Sequence, residues 1–140
     1  MSRITPFAAA AALVLGAWGA CSAVSLHEAP NFRTDAETYA PGDTVRLVLR
    51  NDTDQTILTH PSLCGAVLER RADTGWSWSE PFGPFVVCTA VAAVLQPDDS
   101  LVTERALAGI EAGTYRFRVE VTLQESRDRP VLATSSFEVR

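Results

Sequence analysis

Lysine is missing from this sequence, since all twelve of its basic residues are arginine. Chemistry that depends on a side-chain amine, such as Schiff-base formation, is therefore excluded. Histidine occurs only as His27 and His60, and the single methionine is Met1. Neither histidine stands in a Ser-x-Gly context or has an assignable carboxylate partner, so no nucleophile, base and orienting group can be assembled. We expect a protein that is not an enzyme and that needs no cofactor.

Metal ligands are also scarce. His60 and Cys64 are close enough in sequence to share a metal, but a copper site in a β-sandwich needs a further histidine and usually a methionine. Acidic pairs in two predicted turns, at residues 52–54 and 98–99, are typical of solvated turns, and weak calcium binding is their alternative. The sequence predicts no metal site.

The length and the charge limit the protein further. A chain of 140 residues has room for one domain of ordinary size. Its formal net charge is −5, and no local basic patch is visible along the sequence. Because nucleic acid binding needs a basic surface, we expect no nucleic-acid partner.

No apolar run is long enough to span a bilayer as a helix, which takes roughly 20 residues. The run from Phe7 to Trp18 is about a dozen residues long, follows the positive charge of Arg3 and precedes two small residues. This order is typical of a secretory signal, and the sequence predicts a signal peptide over residues 1–20.

The end of that signal, Leu15-Gly16-Ala17-Trp18-Gly19-Ala20-Cys21, resembles the lipobox of bacterial lipoproteins. The resemblance implies cleavage just before Cys21 and a diacylglycerol on its thiol, which would anchor the mature chain to a membrane. Trp18 stands where that family usually has an aliphatic residue. The alternative is an ordinary secretory signal that is cleaved nearby, with no role for Cys21. Residues 21–31 are polar and lack periodicity, so we expect a tether there.

Three cysteines are an odd number for an exported protein. If Cys21 carries lipid, Cys64 and Cys88 remain as an even pair that can form a disulfide. Export also supplies the oxidising compartment that such a bond requires. We therefore predict a disulfide between Cys64 and Cys88.

The body of the chain, residues 32–140, reads as a series of strands. They include a first strand from Phe32 to Thr38, a hairpin that places Trp76 and Trp78 on one face, and a last strand from Val131 to Val139. Pro41-Gly42 predicts a turn, after which Val45, Leu47 and Leu49 alternate with more polar residues. A second alternating run holds Tyr115, Phe117, Val119 and Val121. Turn residues recur every 8 to 12 positions, and no long helix is indicated, which favours an all-β antiparallel sandwich of about seven strands.

Several of these motifs, in this order, resemble those of bacterial immunoglobulin-like domains of exported proteins. They are Tyr39-Ala40-Pro41-Gly42-Asp43-Thr44-Val45, Leu68-Glu69-Arg70 before Gly75-Trp76, Leu95-Gln96-Pro97-Asp98-Asp99-Ser100, and Ala112-Gly113-Thr114-Tyr115-Arg116. The resemblance implies an immunoglobulin-like β-sandwich in which Tyr115 forms a structural tyrosine corner. The run Trp76-Ser77-Trp78-Ser79, with Phe82, Pro97 and Gly113-Thr114-Tyr115, is also similar to the bacterial intracellular proteinase inhibitor domain, itself a β-sandwich.

Two stretches are candidates for surface contacts. Ala90 to Leu95 is apolar and short, so it fits either a helical turn or a buried strand. We expect it to fill the core, with an exposed apolar contact patch as the alternative. The best candidate binding surface consists of Trp76, Trp78, Phe82 and Phe85, because aromatic residues dominate interface energies. The sequence nevertheless favours core packing around the disulfide for these four aromatics, with the binding surface as the alternative.

These patterns together predict a non-catalytic, lipid-anchored module of the bacterial cell envelope, facing the periplasm or the exterior. We expect it to act by binding a protein or another ligand, with an envelope protein of unknown identity as its partner. The alternative is an inhibitor of an envelope or secreted protease, with its contact on the loop from Trp76 to Phe85.

Overall fold

Alternating apolar and polar residues form short strands throughout the computed structural model, which describes residues 29–79 and 88–140. The strands are β1 (Asn31–Thr34), β2 (Thr38–Tyr39), β3 (Thr44–Arg50), β4 (Ile57–Thr59), β5 (Val67–Ala72), β6 (Gly75–Trp78), β7 (Ala93–Leu95), β8 (Ser100–Ala106), β9 (Gly113–Glu120), β10 (Thr122–Leu123), β11 (Val131–Ala133) and β12 (Phe137–Val139). None of the described segments is a helix of the length and apolarity needed to cross a bilayer.

The strands form two main sheets and a small third one. One main sheet has the order β1-β3-β8, and the other has the order β2-β12-β9-β5-β6, with β11 also paired to β9. The third sheet has the order β10-β4-β7. All pairings are antiparallel except that of β2 with β12, which is parallel. This arrangement is that of an immunoglobulin-like sandwich and confirms the predicted all-β fold.

The core lies between the two main sheets. Val45, Leu47 and Leu49 of β3 are completely buried, as the period-2 pattern predicts. The opposite sheet contributes the alternate residues of β9, and the ring of Phe137 from β12 stacks 5.9 Å from that of Phe117. Burying such large apolar side chains is the main source of stability for a domain of this size.

Two turns next to β3 fold as their residues predict. In the turn before β3, the Asp43 N–H donates to the Ala40 carbonyl over 3.0 Å, and Gly42 has a φ of +89°, which glycine adopts at little cost. After β3, the completely buried Asn51 donates from Nδ2 to the carbonyl oxygens of Gln55 and Leu95, over 2.8 and 2.9 Å. Asn51 therefore links the end of β3 to β7.

The segment from Ala90 to Leu95 contradicts the prediction that it fills the core. Only Leu95 is buried, whereas Val91 and Val94 are 61% and 54% exposed. The segment forms the short strand β7, whose alternation turns Leu95 inward and Val94 outward. The residues before β7 join no sheet and leave their apolar side chains at the surface.

Candidate functional site

The hairpin of β5 and β6 carries both tryptophans on the outer face of its sheet. In the strand register, Leu68 lies opposite Phe117 of β9, and both are completely buried in the core. Because side chains alternate along a strand, Glu69 and Arg71 point to the other side. Glu69 lies opposite Trp78 and Arg71 opposite Trp76, so both tryptophans share this outer face.

Exposure separates the two interpretations of these tryptophans. Trp78 is 59% exposed and Trp76 is half-buried, whereas Leu68 and Phe117 on the inner face of the same sheet are completely buried. Both side chains lie outside the core, so core packing around the disulfide does not account for them. The other two aromatic candidates, Phe82 and Phe85, lie outside the described residues.

Arginine side chains surround Trp76. The guanidinium carbon of Arg116 lies 4.3 Å from the centre of the Trp76 ring, and that of Arg71 lies 5.5 Å from it. Both distances are within the range of cation–π attraction, to which tryptophan contributes most among the aromatic residues. The ring and the two guanidinium groups therefore hold one another in place.

Glu69 lies beneath these side chains and is only 6% exposed. The Arg116 Nε donates to Glu69 Oε2 over 2.7 Å, and Arg118 Nε lies 3.0 Å from Oε1. The Arg118 contact is close enough for an ion pair but not aligned for a hydrogen bond, so that buried nitrogen has no hydrogen-bond acceptor. Burial removes the carboxylate from water, and these two cationic partners compensate for that loss.

We call Glu69, Arg71, Trp76, Trp78, Arg116 and Arg118 the tryptophan–arginine face. It combines exposed aromatic surface with three arginines, of which two contact the single carboxylate. The sequence pattern did not indicate this cluster of arginines. Arg116 and Arg118 alternate with core residues in the sequence, and the pairing of β9 with β5 brings both to Glu69 and Arg116 to Trp76.

The predicted disulfide between Cys64 and Cys88 is present, with 5.7 Å between the two Cα atoms. A second link joins the same two segments, because His60 Nε2 lies 2.9 Å from Thr89 Oγ1. The Ser62 N–H donates to His60 Nδ1, so the neutral ring carries its proton on Nε2 and donates to Thr89. His60 thus has a structural role here.

Arg105 ties the same loop to β8. Its Nη2 donates to the carbonyl oxygens of Ser62 and Leu63, over 2.7 and 3.1 Å. Burial lowers the pKa of Arg105, because it disfavours the charged form. The guanidinium remains charged at neutral pH and bonds both carbonyls, of which that of Leu63 also accepts from the Ala66 N–H.

No group of three or more histidine, cysteine, aspartate or glutamate residues within 29–79 and 88–140 is arranged to hold a metal ion. The described residues line open clefts, among them two of about 240 Å³ each. One is lined by Gly65, Val67, Arg118, Val119, Glu120 and Val131, and the other by Arg70, Ser79, Gly109, Ile110, Glu111 and Tyr115. The first borders the tryptophan–arginine face through Arg118. The predicted signal peptide and lipidated Cys21 lie outside the described residues, as does most of the tether.

Comparisons with known proteins give distant structural similarities. No protein-family model matches it, and no curated protein matches it. Among solved structures it is similar to an ASH/PapD-like domain of human CEP192, PapD-like domain 7, with 15% identity and a TM-score of 0.41 over 96% of this chain and 98% of that one. It is also similar to a ceramidase complexed with C2, with 14% identity and a TM-score of 0.39 over 81% of this chain and 20% of that one. Neither similarity assigns a function.

Proposed function

We propose that this protein is a non-catalytic binding module of the bacterial cell envelope, held at a membrane by lipid on Cys21. Its contact surface is the tryptophan–arginine face. The observation that carries the proposal is the position of Trp78, which is 59% exposed on the outer face, next to a Trp76 ring contacted by two arginines. Tryptophan and arginine are the residues most enriched among those that dominate binding energy at protein interfaces.

The cost of exposing this tryptophan supports a binding role. A fully buried aromatic side chain is stabilised by roughly 2–3 kcal/mol relative to an exposed one, and Trp78 forgoes much of that in the free chain. Its neighbours are also prearranged, since Trp76, Arg116 and Glu69 fix one another. A partner that covers Trp78 would gain apolar burial with little loss of side-chain freedom.

The membrane tether is supported by the cysteines and by the start of the domain. Cys64 and Cys88 pair with each other, which leaves Cys21 for the lipid that the lipobox resemblance implies. The first strand begins at Asn31, a short distance after that cysteine. Mass spectrometry of the mature N-terminus tests this part, and an unmodified Cys21 thiol, or a mature chain without Cys21, contradicts it.

Photo-crosslinking in cells tests the contact surface. A photoreactive amino acid replaces Trp78 in one variant and Val102 in a matched control. Val102 is 41% exposed. Leu101 and Thr103 on either side of it pair with the buried Leu49 and Leu47 of β3, so Val102 points to the outer face of the opposite sheet. We expect a discrete crosslinked product from position 78 only. Equal products at both positions, or none at position 78, contradict the proposal.

The inhibitor alternative places the contact on the loop from Trp76 to Phe85. A panel of envelope and secreted proteases, assayed with the purified chain in stoichiometric excess, tests it. Inhibition that disappears when Trp78 is replaced would support an inhibitor, and full activity of every protease would remove that alternative.

A further inference from the structure

The tryptophan–arginine face carries positive charge that its own carboxylate does not neutralise. Arg116 and Arg118 share Glu69, and no carboxylate among the described residues lies within ion-pair distance of Arg71. This local excess stands out on a chain whose net charge is −5. A ligand for the face must therefore be anionic if it is to complement the charge.

The guanidinium groups are also arranged to bind carboxylates. Arg116 uses Nε for Glu69, and no described acceptor takes its two terminal nitrogens. Arg71 contacts only the Trp76 ring among the described groups. An arginine that lies over an aromatic ring keeps the edge of its planar fork available, and this edge fits a carboxylate with two parallel hydrogen bonds.

The edge of the sheet favours a peptide over other anions. β6 is the last strand of its sheet, and no described strand pairs with its outer side. The Ser79 N–H donates to the Leu68 carbonyl over 3.0 Å, so Ser79 belongs to a hydrogen-bonded pair. By the alternation of an antiparallel ladder, the N–H and C=O groups of Trp76 and Trp78 point away from β5. An extended chain can pair with those groups, whereas a lipid headgroup cannot.

We infer that the face binds an extended acidic peptide segment that adds as a strand beside β6. Its backbone pairs with Trp76 and Trp78, and its outward carboxylates meet Arg71 and Arg116. This inference rests on the proposed function, since it specifies the partner of the same surface.

Peptide binding to the purified full chain tests the inference. The probe is a fluorescent peptide of alternating glutamate and threonine, compared with an alternating lysine and threonine peptide and with a glutamate peptide methylated on alternate backbone nitrogens. We expect saturable binding of the first peptide only, weakened by added salt. Equal binding of the lysine peptide overturns the charge argument, and full binding of the methylated peptide overturns strand addition. No saturable binding of the glutamate peptide overturns the whole inference.

Matched arginine variants locate the contact. Arg71→Glu is expected to weaken glutamate-peptide binding by about tenfold or more, as loss of a charge-assisted contact does. Arg33→Glu makes the same charge change on an exposed residue of β1 in the opposite sheet and should leave binding unchanged. Equal losses in both variants would show an effect of net charge alone and overturn the assignment.

Two further results separate this inference from the proposed function. Binding of the chain to phosphatidylglycerol vesicles but not to the glutamate peptide would overturn the peptide as ligand. Crosslinking from position 78 to a partner that binds through a neutral or basic segment would also overturn it, while leaving the proposed function intact.

Discussion

The hydroxyl of Tyr115 donates a hydrogen bond to the backbone carbonyl of Glu111, four residues earlier, over 2.8 Å. This contact forms the tyrosine corner that the family resemblance implies, and it holds the connection between β8 and β9 against the start of β9. The side chain of Tyr115 is 1% exposed, so water reaches little of the residue.

Removing that hydroxyl should therefore destabilise the domain. We expect Tyr115→Phe to lower the free energy of unfolding by about 1–2 kcal/mol, because the carbonyl of Glu111 loses its donor while the ring stays packed. Urea denaturation of the variant measures the change. Thr114→Ala, which removes an exposed hydroxyl bonded to Glu138, is the control and should cost at most about 0.5 kcal/mol. Equal effects of the two variants would contradict a structural role for the corner.

The disulfide should contribute more than any single hydrogen bond. Cys64 and Cys88 are 24 residues apart, and closing a loop of that length stabilises a fold by about 3–4 kcal/mol on the chain-entropy model. Unfolding of the oxidised chain is compared with unfolding in the presence of a reductant. The double variant Cys64→Ala/Cys88→Ala should match the reduced chain and not respond to the reductant. A reduced chain as stable as the oxidised one would contradict this prediction.

Asn51 allows a test of a buried polar network. Its Nδ2 donates to two carbonyl oxygens, so in Asn51→Asp a carboxyl oxygen would face both of them at a buried position. We expect a loss of about 2–4 kcal/mol in the free energy of unfolding. Asp52→Asn makes the reverse chemical change at the neighbouring position and removes only the partly exposed ion pair with Arg50. This control should lower the free energy of unfolding by at most about 1 kcal/mol. The prediction is wrong if Asn51→Asp costs no more than this control.

Tyr39 makes alkaline stability measurable. Burial, together with the hydrogen bond that its hydroxyl donates to Asp35, raises the pKa of Tyr39 from 10.0 to about 12. Because the pKa is higher in the folded state, the stabilisation is fully present below pH 10.0 and is lost as the pH rises through about 12. Burial also raises the pKa of Tyr115, the only other tyrosine.

Phenolate absorbance of the folded chain should thus appear only above pH 10, and the step near pH 12 should disappear in Tyr39→Phe. Tyr115→Phe is the control that keeps this step. Near-ultraviolet circular dichroism, recorded on the same samples, shows whether the chain is still folded. If both tyrosines ionise with the ordinary pKa of 10.0 while the chain is still folded, the effect assigned to their burial is contradicted.

Local patterns were enough to predict the centre of the fold. Pro41-Gly42 is a turn, and β3 and β9 have their alternate apolar residues in the core, because these features depend on neighbours in sequence. The predicted strand from Phe32 to Thr38 is instead divided into β1 and β2. Asp35 interrupts it by accepting hydrogen bonds from Tyr39 and from the distant Arg46 N–H. No local pattern reveals that second contact.

The candidate site was predictable only in part. The hairpin pattern placed Trp76 and Trp78 on one face, but the arginines of that face come from β9, far along the chain. Their approach depends on the register of β5 with β9, which composition and net charge do not encode. The last strand was likewise predicted as one piece from Val131 to Val139, because its division depends on a contact with a residue that is distant in sequence. It divides where Thr134 Oγ1 accepts the Phe117 N–H in place of a backbone carbonyl.

The contacts around the disulfide have a consequence for the reduced protein. The His60 hydrogen bond to Thr89 and the Arg105 hydrogen bonds to the carbonyls of Ser62 and Leu63 do not depend on the sulfur–sulfur bond. While the chain stays folded, they keep the two thiols at a high effective concentration relative to each other. Reoxidation should then close the bond within one molecule faster than it joins two molecules, so the folded chain restores its own crosslink and resists covalent dimer formation.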